Sequence, residues 1–323
     1  MRGTRAAHSA LCALISIFAS ITAYAESSPQ PDAYRQSRDD AWWTGPILTA
    51  AAGTLPKGHM LVEPYFFDIV NHGRFDANGN RHSSATRRHS YGSLTYLNYG
   101  LMDGFTVGVI PRFGYNDVAT GRDSSGVGLS DFQVQGTLRL SQFRDGSRVP
   151  TTSIVLTETL PTGKYDRLGD RPSDGLGSGA YTTSLSFYSQ YFFWMPNGRI
   201  LRTRLNFAYS LPGEVSVHDV SVYGTSEGFR GHARPGRAFV VNSSWEYSAT
   251  RNWVLALDVV YENDTSTKLD GVGFGSSDAF TVAPAIEYNF NSQIGVIAGA
   301  ILTPKARNAS ANVVPVVAIN MVF

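Results

Sequence analysis

Read backwards from its last residue, the chain alternates. Phe323, Met321, Ile319, Val317, Pro315 and Val313 form an apolar phase; Val322, Asn320, Ala318, Val316 and Val314 form a mixed one. That is a strand with one apolar face. Twelve such runs follow residue 60: 60–70, 88–100, 105–116, 130–143, 150–162, 179–193, 199–211, 237–249, 253–264, 278–290, 294–304 and 312–323. In 199–211, Leu201, Leu205, Phe207, Tyr209 and Leu211 oppose Arg202, Arg204, Asn206 and Ser210. In 253–262, Trp253, Leu255, Leu257, Val259 and Tyr261 oppose Asp258 and Glu262. Runs 105–116, 130–141 and 280–290 sort the same way, whereas 88–100 and 150–162 alternate poorly. Helical periodicity is absent.

The connections alternate too. Short ones (101–104, 144–149, 195–199, 250–252, 291–293) are interleaved with long ones (71–87, 117–129, 163–178, 212–236, 265–277), and only 305–310 departs from the pattern. Runs of about 11 to 15 residues suffice for a tilted membrane crossing, and short turns on one side with long loops on the other mark outer-membrane barrels. The predicted class is all-β: a transmembrane, antiparallel, up-and-down β-barrel of about twelve strands, residues 60–323. Aromatic residues near strand ends (Tyr191, Trp194, Tyr209, Trp245, Tyr247, Trp253, Tyr261, Tyr288, Phe323) fit girdles at the two interfaces. Pro64, Pro111, Pro284 and Pro315 fall inside strands on the apolar phase, where bulges are expected.

The N-terminus fits export. Arg2 and Arg5 precede an apolar run, Leu11–Ile21, and then Ala23-Tyr24-Ala25, so residues 1–25 read as a signal peptide cleaved before Glu26. The single Cys12 lies inside it, leaving an exported chain without disulfides or thiol chemistry. Loss of two arginines takes Lys+Arg from 27 to 25 against 26 acids, a net charge of −1 that speaks against nucleic acid as a partner. No 18-residue apolar stretch follows, which leaves a closed barrel as the way to span a bilayer.

Segment 44–70 ("TGPILTAAAGTLPKGHMLVEPYFFDIV"), "GVGLSDFQVQGTLRL" (126–140) and "LTETLPTGKYD" (156–166) resemble recurring blocks of the meta-pathway phenol degradation, or transporter, family of bacterial outer-membrane proteins. The resemblance spans most of 44–323. It implies an outer-membrane barrel of a Gram-negative bacterium that takes up small, often aromatic or hydrophobic, compounds, and it implies no catalytic residues.

The polar phases bring Arg112, Arg139, Arg202 and Arg204 to the same interior as Glu63, Glu246, Asp258, Glu262 and Glu287. Such a set can select solutes at a charged constriction, or fill a narrow lumen with ion pairs. Residues 26–59 are either a plug in the lumen or a periplasmic tail. Basic segment 74–89 either meets lipopolysaccharide phosphates or is a solvated loop. The histidines His59, His72, His82, His89, His218 and His232 lie mostly in or beside long loops, with no serine and acid placed for hydrolysis. "DSSGVGLSD" lacks calcium-ligand spacing, and no phosphate-binding glycine loop opens a helix. The expected function is passive passage of a small organic solute, without cofactor, metal or enzymatic activity. Expected partners are outer-membrane lipid, lipopolysaccharide and the barrel assembly machinery, engaged through the strand ending in Phe323. The alternatives are a structural or adhesive barrel that does not conduct, and an outer-membrane hydrolase.

Overall fold

The computed structural model describes residues 35–323; the expected signal peptide and residues 26–34 lie outside the described residues. Twelve antiparallel strands form the wall: β1 (Met60–Phe75), β2 (Arg81–Met102), β3 (Phe105–Ile110 and Arg112–Asp117), β4 (Phe132–Ser141), β5 (Thr151–Leu160), β6 (Thr182–Trp194), β7 (Ile200–Pro212), β8 (Ala238–Ser248), β9 (Trp253–Asp264), β10 (Ser277–Asn289), β11 (Ile294–Arg307) and β12 (Ser310–Val322). Each pairs with its sequence neighbours, and β1 also pairs with β12, so the sheet closes and no edge is left. The seam is completed by Met60 N donating to Phe323 O at 2.9 Å and Phe323 N to Met60 O at 2.8 Å.

Every strand exposes large apolar side chains outward, among them Phe66 (53% exposed), Leu156 (55%) and Leu185 (58%). Leaving one such side chain in water costs about 1.5–3 kcal/mol, and soluble monomers do not carry a continuous belt of them. The barrel therefore sits in a membrane, as outer-membrane barrels do. At the end where β1 begins and β12 ends (the terminal end of the barrel), Trp253 contacts Tyr288 (4.7 Å between ring centroids), which contacts Phe290 (5.0 Å). Trp194 departs from the expected girdle: its phase points inward, and Nε1 donates to Gln36 O at 2.9 Å.

Of the expected bulges, the prolines produce something different. Pro64 pairs with Thr95 on β2, Pro315 with Ala300 on β11 and Pro284 with Leu257 on β9. Having no N–H, each interrupts the ladder on its other side. The β1–β12 register skips Glu63–Pro64 and Asp68–Ile69, and the β10–β11 register skips Ala283–Pro284. Pro111 divides β3 outright.

The long connections carry more structure than their composition suggests. β1 and β2 run on as a hairpin to a turn at 76–80. Four short strands, Val215–His218, Arg230–Arg234, Lys268–Leu269 and Val272–Gly273, form a second sheet over Val217 and Ala233. They were missed because strands of two to five residues leave no readable period.

Candidate functional site

Residues 36–58 lie along the inner wall as a strap. It starts at the terminal end, where the Gln36 amide donates to Ser248 Oγ and accepts from Ile200 N. A single 3₁₀ turn, Arg38–Asp40, is capped by Ser37. Two tryptophans follow: Arg251 lies 4.5 Å over the Trp42 ring and Arg202 4.4 Å over Trp43. Such cation–π contacts are worth about 0.5–2 kcal/mol each.

From Thr44 onward the strap's backbone meets inward carboxylates. Glu287 Oε2 accepts from Thr44 N (2.7 Å) and Gly45 N (3.1 Å). Asp258 accepts from Leu48 N (3.2 Å), Thr49 N (3.0 Å) and Thr49 Oγ1 (2.6 Å). Arg204 Nη1 returns a bond to Thr49 O at 2.6 Å, and Asn206 Nδ2 one to Ala50 O at 2.9 Å. Ile47 joins an apolar cluster with Tyr65, Ile297 and Val316. The strap then crosses to the other wall. Ser153 Oγ donates to Ala52 O, Leu55 N donates to Thr106 Oγ1, and Gly58 N donates to Gly100 O. Beyond its single 3₁₀ turn the strap has no regular structure to pair its amides, and a buried amide must find an acceptor; the barrel supplies side-chain oxygens and, at Gly198, Arg251 and Gly100, backbone carbonyls.

Not all of the expected charged set converges. Arg202 binds Glu246 through Nε (2.8 Å) and Nη2, and Arg204 Nε lies 3.2 Å from Glu246 Oε2. Cross-strand register explains this trio, because Glu246 faces Arg202 directly and Ser244 faces Arg204. Glu63 accepts from Asn320 Nδ2 and the Tyr65 hydroxyl. Arg112, Arg139 and Glu262 form no ion pair with the others among the described residues; Arg112 Nη2 donates instead to Gln133 Oε1 at 2.9 Å. The expected charged set thus divides into a charged wall on β7–β10, occupied by the strap, and a facing wall on β2–β6 of mostly uncharged hydrogen-bonding groups that carries Arg112 and Arg139.

Between the strap and that second wall lies a cavity of about 520 Å³, lined by Tyr65, Tyr96, Asn98, Gln133, Gln135 and Tyr188 among others. Sequence alternation marked Gln133 and Gln135 as inward, and Tyr65 shares the phase of Glu63 on β1; Tyr96 and Tyr188 were hidden in the poorly alternating β2 and in β6. A second cavity, about 940 Å³, opens among the long loops and is lined by Arg74, Arg88, Asn116, Arg122 and Ser173. On one face of β3, Ile110 belongs to the inner cavity and Asn116 to the outer. Between them Leu176 packs so closely on Gly114 and Gly128 that a Cβ at either would lie within 3.1 Å of it. The loop bearing Leu176 is fastened by Asp131, which accepts from Ser178 N (2.7 Å), Ser178 Oγ (2.8 Å) and Gly163 N (3.0 Å). Burial pushes the Tyr223 hydroxyl up to about 12, so it remains a donor to Ser178 O on the same loop.

Three of the six histidines pair with aspartates: His82 with Asp76, His89 with Asp68 and His218 with Asp166.

The family described as putative MetA-pathway of phenol degradation matches residues 68–313. The chain belongs to this family. Among solved structures, this member of the phenol-degradation family resembles the COG4313 outer membrane channel from Pseudomonas putida F1. That resemblance has 13% identity and a TM-score of 0.68, over 86% of this chain and 100% of that one. The β domain of the Bordetella autotransporter BrkA is also similar, at 10% identity and TM-score 0.49, over 83% and 100% of the two chains. No curated protein matches. The likeness fixes the architecture, a twelve-stranded closed barrel of the outer-membrane type.

Proposed function

We propose that the protein is a channel for passive entry of small organic solutes across the outer membrane, with no enzymatic step. The observation that carries this reading is the inner cavity. The barrel interior is not filled by side chains, and a polar chamber remains beside the strap, separated from the outer vestibule by one leucine-bearing loop. The family's description ties its members to phenol degradation, and a chamber lined by tyrosine rings and amides accepts rings that carry a polar group. Within the expected plug, residues 26–59, the described strap from Gln36 to Gly58 carries the contacts that close the half of the lumen where β1 begins and β12 ends. Glu63, Arg112, Arg139, Arg202, Arg204, Glu246, Asp258, Glu262 and Glu287 line the passage. Arg202, Arg204, Glu246, Asp258 and Glu287 serve chiefly to hold the plug. Lipopolysaccharide surrounds the outer rim, and the strand ending in Phe323 engages the barrel assembly machinery.

Planar-bilayer recording of the refolded protein, with and without residues 36–59, tests this. Conducting steps that grow on deletion support a plugged channel. Release of the plug also frees Asp258 and Glu287 from their amide partners, so the deleted form should favour cations more than the full chain does. A silent bilayer from both forms, with the protein still migrating as a folded, heat-modifiable barrel, overturns the proposal.

A further inference from the structure

The lumen's charges are unequally satisfied. Glu246 is shared by Arg202 and Arg204, while Asp258 and Glu287 are covered by strap amides. Across the chamber, Arg112 differs. Among the described residues it makes no ion pair, one Nη2–H reaches the neutral Gln133, and its buried Nε has no hydrogen-bond partner. Gln133 is itself held by donating to Thr159 Oγ1 at 3.0 Å, so its oxygen is fixed toward Arg112. A half-buried guanidinium with no anion and a shielded, unpartnered Nε is poorly satisfied, and such a group is the usual host of a carboxylate, whose two oxygens fit its planar fork.

Position favours the same ligand. On β3, Arg112 lies between Ile110 of the inner chamber and Gly114, which Leu176 covers. Leu94 faces it across the β2–β3 ladder, which makes Tyr96 its diagonal neighbour. The vestibule above carries Arg74 and Arg88, neither ion-paired among the described residues, while its Arg122 is paired with Asp170. A basic mouth raises the local concentration of anions and steers them inward.

We propose that Arg112, with Gln133 and Tyr96, forms a binding site for a small organic carboxylate at the top of the chamber. The plug leaves this site free because it runs along the opposite, acidic wall, and its hydrogen bonds to strands β2–β5 are with Gly100, Thr106 and Ser153. The inference rests on the channel reading only for its physiological meaning; binding itself needs no conduction.

The test is saturation-transfer NMR on the refolded full-length barrel in detergent. Benzoate is the probe, and benzamide is its neutral isostere. Benzoate should bind wild type more tightly than benzamide does. Arg112→Gln should weaken benzoate about 10- to 100-fold, the worth of a charged hydrogen bond or two, and leave benzamide unchanged. Arg112→Lys, which keeps charge but loses the fork, should fall between. No preference for benzoate in wild type, or equal benzoate binding by wild type and either folded variant, overturns the site. A barrel that conducts without binding benzoate overturns the site and leaves the channel. One that binds benzoate but never conducts supports the site and overturns the channel.

Discussion

Asp258→Ala is the sharpest perturbation of the plug. Its carboxylate takes three hydrogen bonds from Leu48 and Thr49 and none from the wall. Undocked, Asp258 would face lumen water, so the substitution acts on the docked state. A hydrogen bond to a charged group is worth about 1.5–3 kcal/mol net. Three bonds on one carboxylate are not additive, and desolvating Asp258 on docking offsets part of their sum. Roughly 2–3 kcal/mol of docking free energy then depends on this residue, equivalent to about a 30- to 150-fold change in the ratio of docked to undocked plug. The single-channel open probability should rise by that factor if undocking is what opens the pore. Protease sensitivity of residues 44–55 should rise in parallel. An open probability within twofold of wild type, in a variant that folds normally, would refute the assignment of Asp258 as the plug's anchor.

Three further outcomes are expected. A Cβ at Gly100 would lie 2.0 Å from Pro56 O, so Gly100→Ala should loosen the strap's exit by about 1–3 kcal/mol, read as faster cleavage near Leu55. Leu176→Ala should widen the route between vestibule and chamber and speed swelling of proteoliposomes in neutral solutes; an unchanged rate would remove Leu176 from the path. At the β1–β2 tip, hydrogen bonds from His82 first, then from Asn80 and Asn78, hold the Asp76 carboxyl well below the usual carboxylate range. A depressed carboxyl stabilises above its unfolded pKa of about 3.9 and loses that contribution as pH falls through its folded value. Amide protection at the tip should therefore persist from pH 7 to about 4 and fade only below, whereas Asp76→Ala should lack it throughout.

The wall was legible because a membrane barrel imposes one rule on every strand, apolar outward. Strands such as β7, with Arg202 and Arg204 set between leucines, state it plainly. β2 obscures it because Leu94 packs on the apolar cluster around Tyr65 and Tyr96 lines the chamber, which makes its inward side nearly as apolar as its outward one. The strap's course was not legible, since residues 26–59 read equally as a plug or a tail. Its partners lie far off in sequence, Glu287 being 243 positions from Thr44, and backbone amides bind a carboxylate whatever side chains the strap carries. For the same reason the sequence showed which charges face inward but not which of them meet. The Arg202–Glu246 pairing depends on register, whereas Arg112 stands apart because the nearest inward positions on β2 and β4 are Leu94 and Gln133.

Two of the four wall prolines, Pro64 and Pro315, fall on the same junction between β1 and β12, and the ladder there skips two stretches. That junction joins the chain's first and last strands, so it can form only after the other eleven pairings have brought its edges together. It is consequently the latest line to zip during assembly, and it stays gapped once closed. Kinetic stability of the whole cylinder is then set at this line, and amide exchange should begin at Asp68 and Ile69 rather than in the fully laddered β8–β9 pair.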